Sequence, residues 1–192
     1  MSVTHDEARQ SLDLIEETVA RTNKRIAASY AGNLLIWWGL IWIAGFTALY
    51  LLGPQGGYVF GVLDGLGVVG TILLCRKWPI RGSLRGPGSL QLVRRMMVFW
   101  LILVAYAILW VFLLSPMTGM QLGAFLVTAV MLGYAVIGLW TGSLFMLWLG
   151  LIVTGLTVFG FCILPGHFNL WMAPVGGGAL LGTGLYIRLR WS

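Results

Sequence analysis

Residues 96–115 read MMVFWLILVAYAILWVFLLS, twenty residues in a row without a charged side chain. They open a longer stretch of 92 residues, between Arg95 and Arg188, that contains no Asp, Glu, Lys or Arg. About 20 apolar residues suffice for a helix to cross the hydrocarbon core of a bilayer, so this stretch accommodates four spans with short turns. The segment between Arg25 and Arg76 is interrupted only by Asp64 and accommodates two more.

The composition of the whole chain points the same way. Its 192 residues include 12 Lys or Arg and 6 Asp or Glu, so that 9% are charged, whereas 59% are hydrophobic. Soluble domains carry roughly 25% charged residues, and disordered chains combine low hydrophobicity with high charge. The composition therefore excludes a soluble globular enzyme and a disordered chain, and it predicts an all-α integral membrane protein.

We predict a transmembrane domain at 30–192 with six transmembrane helices arranged as three tandem hairpins. The predicted spans are 31–52, 58–76, 96–115, 119–140, 143–164 and 169–188. The turns 53–57, 115–118 and 165–168 contain no Lys or Arg, whereas the intervening loop 77–95 and both ends of the chain carry the cations. Because cytoplasmic loops are enriched in Lys and Arg, both termini and loop 77–95 are predicted to be cytoplasmic, in a cell inner (plasma) membrane protein.

The three hairpins share a spacing. Trp38 precedes Pro54 by 16 residues, Trp100 precedes Pro116 by 16, and Trp148 precedes Pro165 by 17. Each Pro falls in a predicted outer turn, where its missing N–H is tolerated, and each second helix is rich in glycine. Self-similarity at a fixed period is typical of repeat architectures, and here it indicates a repeated hairpin.

Two segments carry a resemblance to a known family, WWGLIWIAGFTALYLLGP at 37–54 and LWLGLIVTGLTVFGFCILP at 147–165. In these segments, and more loosely over residues 36–190, the chain resembles the HdeD-like six-span bacterial inner-membrane proteins. The resemblance implies a small inner-membrane protein linked to stress, without known catalytic residues, and it supplies no site residue. The charged segment 1–29 departs from that pattern.

Residues 1–29 are predicted to form a cytoplasmic amphipathic helix. Thr4 and Glu7 have the spacing of a capping box, in which each side chain satisfies a free backbone N–H at the start of a helix. Apolar residues then recur at helical spacing and form a candidate packing seam. The seam residues are Leu12, Ile15, Val19 and Ile26. The seam could bind a cytoplasmic protein, dimerise, or pack on the basic loop.

Glycines at four-residue spacing mark candidate helix contacts, because helices associate in lipid through close backbone approach at small residues. The candidates include Gly57, Gly61, Gly65, Gly178 and Gly182. The contacts are predicted to lie within the chain or between copies of it.

Asp64 is the one acidic residue inside a predicted span. A charged group within the bilayer is costly, and such residues are functional candidates by default. The carboxyl could bind a proton or a cation, or it could hydrogen-bond a neighbouring helix. Pro174 and Gly176–Gly178 predict a helix break, and this segment could lie close to Asp64.

Six cations are candidate contacts for anionic lipid headgroups, each worth about 1 kcal/mol near the surface. They are Arg76, Lys77, Arg81, Arg85, Arg94 and Arg95. Their first role is as a topology signal, and no nucleic-acid partner is predicted. Gly82, Gly86, Pro87 and Gly88 predict an irregular conformation for this loop.

No spacing suitable for catalysis or for a metal is found among the few polar residues. Cys75 and Cys162 are predicted to lie near opposite faces of the membrane without a disulfide, and His167 lies alone in a turn. We therefore predict a non-enzymatic membrane protein without a cofactor, acting in a regulatory, stress-related or accessory role through protein or lipid interaction. The alternatives are a small-solute or proton transporter that uses Asp64 and, less favoured, an intramembrane enzyme.

Overall fold

The computed structural model describes residues 31–76 and 87–191, and within this part every regular element is helical. The helices are α1 (31–52), α2 (Gly56–Arg76), α3 (Pro87–Leu113), α4 (Gly119–Thr141), α5 (Leu144–Ile163), α6 (Phe168–Met172) and α7 (Ala179–Trp191). Short 3₁₀ turns at Gly53–Gln55 and Pro165–His167 follow α1 and α5, and a π-helical segment at Ala173–Gly178 joins α6 to α7. The predicted all-α class is confirmed for these residues.

Five helical runs are long and apolar enough to cross a membrane. They are Ala31–Leu74, Arg94–Leu113, Gly119–Thr141, Leu144–Ile163 and Pro165–Leu189. The first run has 44 residues and reverses at the 3₁₀ turn, where Gly53 has a φ of 57°. Helix α2 returns antiparallel along α1, because residues early in α2 contact residues late in α1. A Cβ on Gly56 would collide with Ala48, and a Cβ on Gly45 would collide with Phe60.

Hydrogen-bonded caps set the borders of the central helices. Thr118 and Gln121 form a reciprocal capping box at the start of α4, with N···O distances of 3.2 and 2.9 Å. Gly142 then ends α4 in the left-handed region, at a φ of 67°, and Ser143 caps α5 through the N–H of Met146. These caps satisfy backbone groups that would otherwise be unpaired in a tight turn, so α4 and α5 form a hairpin.

The core lies between α1, α4, α5 and the α6–α7 region. Its fully buried side chains include Phe46 from α1, Met131 from α4, Thr157 from α5 and Met172 from α6. Helices α2 and α3 contribute no fully buried side chain among the described residues, and they flank this core. Their outward faces are apolar, as expected for surfaces that meet lipid.

The three proline-containing turns lie at the same end of the helix bundle. The ring of Tyr50, near the end of α1, lies 6.2 Å from that of His167. A Cβ on Gly123, near the start of α4, would lie 3.5 Å from Phe46 and 3.6 Å from Phe168. The turns after α1, after α3 and after α5 are thereby brought together.

Two local predictions need correction. The prediction of an irregular conformation is wrong for residues 87–95, because α3 begins at Pro87. Proline suits the first position of a helix, where its fixed φ is helical and no N–H is required. The predicted break at Pro174 is also wrong, because the chain stays helical there and accommodates the proline in a π-helical segment. The predicted helix at 1–29 lies outside the described residues.

Candidate functional site

Two tryptophans on α1 hold α2 through hydrogen bonds. The indole N–H of Trp38 donates to the hydroxyl of Thr71 at 3.0 Å, and that of Trp37 donates to the carbonyl of Gly67 at 3.3 Å. The Thr71 hydroxyl donates in turn to the Gly67 carbonyl at 2.8 Å. A Cβ on Gly67 would lie 2.8 Å from the Trp38 ring, so the glycine makes room for this contact.

Asp64 lies on α2 beside the interface with α1. It sits between Phe60, which packs on Gly45, and Gly67, which packs on Trp38. One carboxylate oxygen, Oδ1, is buried and has no hydrogen-bond partner. Because Asp64 is eight residues into α2, it lies about 12 Å from the start of the helix along its axis. Buried polar groups normally have a partner, so this unpartnered oxygen is an exception beside the α1–α2 interface.

Two grooves open on the sides of the bundle. One, of about 220 Å³, lies between α4 and α5 and is bordered by Gln121, Thr128 and Thr157. The other, of about 310 Å³, lies between α3 and α4 and is bordered by apolar side chains alone. Both are exposed along the outer surface of two neighbouring helices. Such grooves can receive a lipid chain or a side chain from another helix.

The hydroxyl groups of the α4–α5 groove are engaged within their own helices. Thr157 donates to the carbonyl of Val153 at 2.7 Å, and Thr128 donates to those of Ala124 and Phe125 at 2.9 and 3.0 Å. Gln121 takes part in the cap of α4. The hydroxyl protons of Thr128 and Thr157 are therefore already used within their helices.

The five glycines predicted as helix contacts meet no other part of the described chain. A Cβ on any of Gly57, Gly61, Gly65, Gly178 and Gly182 would find nothing within 4 Å. Among the described residues these glycines therefore face the outside of their helices, and a contact within the chain is not found there. The other predicted contact, between copies of the chain, stays a prediction.

A close backbone contact between α1 and the C-terminal helices involves glycines outside the predicted set. Gly32 and Gly39 on α1 face Gly184 on α7 and Gly177 in the π-helical segment. A Cβ on Gly177 would lie 2.6 Å from the backbone nitrogen of Ile43 and 2.8 Å from the carbonyl oxygen of Gly39. The signal in the sequence is the seven-residue spacing within each pair, 32 to 39 and 177 to 184.

Asp64 and the π-helical segment lie on opposite sides of α1. Trp38, Ile41 and Gly45 face α2, whereas Gly39 and Ile43 face the π-helical segment. At 100° per residue these two sets point in opposite directions from the helix axis. The expectation that the segment around Pro174 lies close to Asp64 is therefore wrong, because α1 lies between them.

The remaining predicted site residues fall into two groups. Arg94 and Arg95 lie on the first part of α3 with exposed side chains, and the backbone of Arg76 ends α2. Lys77, Arg81 and Arg85 lie outside the described residues, as does the seam of Leu12, Ile15, Val19 and Ile26. Cys162 is a free thiol near the end of α5. Within the described chain, no cluster of three His, Cys, Asp or Glu side chains could hold a metal ion.

Comparison with known proteins gives no relative from which a function could be inferred. No protein-family model, curated protein or solved structure matches the chain.

Proposed function

We propose that the chain is a six-span inner-membrane protein with both termini in the cytoplasm, and that it acts without catalysis through lipid and protein contacts. The observation that carries this proposal is the position of the two grooves on the sides of the bundle. A lateral groove is open to molecules that are themselves in the membrane, such as lipids and helices. The Thr128 and Thr157 hydroxyls that border the α4–α5 groove already donate to backbone carbonyls, and the Gln121 side-chain oxygen accepts from the backbone N–H of Thr118, which favours interaction over solute transport.

The distribution of the described cations supports the proposed orientation. Phe99, four residues after Arg95, contacts Trp140 at a ring distance of 5.3 Å, and Phe145 contacts Tyr186 at 5.9 Å, two residues before Arg188. These contacts bring the cationic ends of α3 and α7 to the bundle end opposite the proline-containing turns. We take the cationic end to be cytoplasmic, following the positive-inside rule.

A recurring contact supports the proposed hairpin repeat. Trp37, the residue before Trp38, covers Gly70 in the first hairpin, and Trp100 covers Gly133 in the second, so the contact recurs one residue away from the predicted spacing of Trp and Pro. The nearest tryptophan atoms lie 2.5 and 3.0 Å from the position of a Cβ on these two glycines. The third hairpin departs from this pattern, because Gly184 packs on α1. The repeat and the HdeD-like resemblance favour a small regulatory or stress-related accessory protein.

The N-terminal segment is the proposed site for a cytoplasmic protein partner. Deleting residues 2–28 is expected to abolish recovery of proteins that co-purify with the full chain in detergent, because this segment carries the predicted apolar seam. The measurement is quantitative mass spectrometry of the eluates. The double variant Ile15→Ser/Val19→Ser should reproduce the loss, since both residues lie on the predicted seam.

Matched polar substitutions away from the seam provide the control. Gln10→Ser/Glu17→Ser changes residues on the opposite side of the same predicted helix and should leave recovery unchanged. Equal recovery from the seam variant and the full chain would contradict a partner role for this segment.

The unpartnered Asp64 oxygen favours a second candidate, transport of a proton or a small cation. A buried polar atom without a partner costs about 1–3 kcal/mol. We therefore expect Asp64→Ala to raise the free energy of unfolding in detergent by roughly that amount, whereas Asp64→Asn, which keeps a polar oxygen, should change it less. A fall in stability on Asp64→Ala would show that the carboxylate has a stabilising partner.

Flux measurements separate the two functions. Proteoliposomes loaded with a pH-sensitive dye should show the same proton leak with the wild-type chain, with Asp64→Asn and with no protein if the chain acts by interaction. A leak that the wild-type chain supports and Asp64→Asn abolishes would replace the interaction proposal with transport.

A further inference from the structure

We propose that the acidic stretch 6–17 of the N-terminal segment docks on the start of α3, where Arg94 and Arg95 bind its carboxylates. The surface that receives the stretch belongs to the described part of the chain, and the stretch itself lies outside it. This contact within one chain goes beyond the proposed function, and it does not depend on the protein partner proposed for the seam.

The charges of the chain are separated along the sequence. Residues 6–17 contain five of the six acidic residues and a single cation, Arg9. Residues 31–192 contain eight Lys or Arg and a single acid, Asp64. Asp64 precedes Arg76, the last residue of α2, by 12 residues, so it lies about 18 Å from the cationic end of the bundle. The carboxylate side chains that can neutralise that end therefore belong to the acidic stretch.

The start of α3 offers an open cationic surface. Arg94 and Arg95 are exposed, and so is Gln91, one turn earlier. Helix α3 faces α4 through Trp100 and Leu103. At 100° per residue, the three exposed residues all point away from that side of α3. A guanidinium group binds a carboxylate through two parallel hydrogen bonds, so this surface suits an acidic segment.

The N-terminal segment joins the bundle at the end where α3 begins. Helices α1 and α3 both end at the proline-containing turns, so both begin at the opposite end. Helix α4 lies close to both, because Gly123 approaches Phe46 of α1 and Gly133 approaches Trp100 of α3. The axis of α3 therefore lies at most two interhelical distances from that of α1, or about 20 Å.

The acidic stretch has the length to cover this distance. Glu17 precedes Ala31 by 14 residues, and Asp6 precedes it by 25. Helices of these lengths extend about 21 and 37 Å. The acidic stretch of the predicted helix therefore reaches α3 and its outer side, where the arginines lie.

The acids lie on one side of the predicted N-terminal helix. Asp6, Asp13 and Glu17 recur at helical spacing, with Gln10 between them, on the side opposite to the apolar seam. Docking through these carboxylates leaves the seam accessible to a protein partner.

Disulfide cross-linking of the full chain in proteoliposomes tests the contact. Gln10→Cys and Gln91→Cys are introduced together after Cys75→Ala and Cys162→Ala have removed the native thiols. Under mild oxidation, we expect this pair to form a bond within the chain at least fivefold faster than the pair Leu12→Cys/Gln91→Cys. Leu12 is the matched control, because it lies two residues away on the seam side.

Charge reversal and its rescue test the electrostatic cause. Asp13→Lys/Glu17→Lys should slow the cross-link of the first pair about fivefold, because cations then face Arg94 and Arg95. Adding Arg94→Glu/Arg95→Glu should restore the rate, which a loss of folding cannot imitate. Arg188→Glu on α7 is the control for the rescue and should not restore it.

Each other outcome overturns the inference. Equal rates for the two cysteine pairs, no effect of charge reversal, or rescue by Arg188→Glu would remove the contact with α3. Cross-linked dimers would assign the surface to the acidic stretch of a second copy. Loss of the cross-link when phosphatidylglycerol is added to phosphatidylcholine vesicles would assign the arginines to lipid headgroups. The partner experiment detects co-purifying proteins and this one a bond within the chain, so their failures are distinguishable.

Discussion

Replacing Gly177 with leucine is expected to destabilise the protein by about 3 kcal/mol or more, the upper part of the range for overpacked cores. The new Cβ would lie 2.6 Å from the backbone nitrogen of Ile43 and 2.8 Å from the carbonyl oxygen of Gly39. A flexible side chain could rotate away from such a contact, but backbone atoms of a helix cannot. The helices must therefore move apart, and the Gly32–Gly184 contact along the same seam would be lost with them.

The neighbouring glycine is the matched control for this substitution. A Cβ on Gly178 meets nothing within 4 Å, so Gly178→Leu should change the free energy of unfolding by less than about 0.5 kcal/mol. Both variants are compared by unfolding of the detergent-solubilised protein in increasing sodium dodecyl sulfate, followed by tryptophan fluorescence. Similar stabilities for the two variants would mean that α1 and the π-helical segment do not approach as closely as described.

This pair of glycines also shows where sequence reasoning reached its limit. The helical class and the positions of the apolar helices could be predicted, because they follow from the length of uncharged runs. The glycine contacts could not, because a stripe of small residues marks a face of a helix without indicating what covers it. Gly177 and Gly178 are adjacent and point in different directions from the helix axis, and only the neighbour α1 distinguishes them.

The candidate functional groups were predictable to a similar extent. Asp64 stands out in the sequence as the one acidic residue of its span, but its unpartnered oxygen depends on the packing of α1. The α3–α4 groove leaves no mark in the sequence, since Ala107 and Ala129 are ordinary residues for an apolar helix. Proline and three glycines predict a break because they disfavour a regular α-helix. The same residues are compatible with the π-helical segment that the structure has there.

Truncating Phe46 is the second substitution with a large expected effect. Its side chain is 1% exposed, lies 5.1 Å from the ring of Phe60 and 6.2 Å from that of Trp42, and packs close to Gly123. Phe46→Ala removes contacts with α1, α2 and α4 at once. We expect a loss of about 3 kcal/mol in the free energy of unfolding, measured in the same detergent titration.

The size of this effect depends on the solvent that surrounds the protein. In water, a truncated Phe loses a transfer term as well as its packing contacts, which gives about 3–5 kcal/mol. Lipid is as apolar as the protein core, so the transfer term is small here and the cavity term remains. Phe112, which is 78% exposed on α3, provides the control, because Phe112→Ala leaves no cavity and should cost less than about 0.5 kcal/mol. If both truncations cost the same, the core would have to lie elsewhere, since only a buried ring leaves a void that neighbouring helices fail to fill.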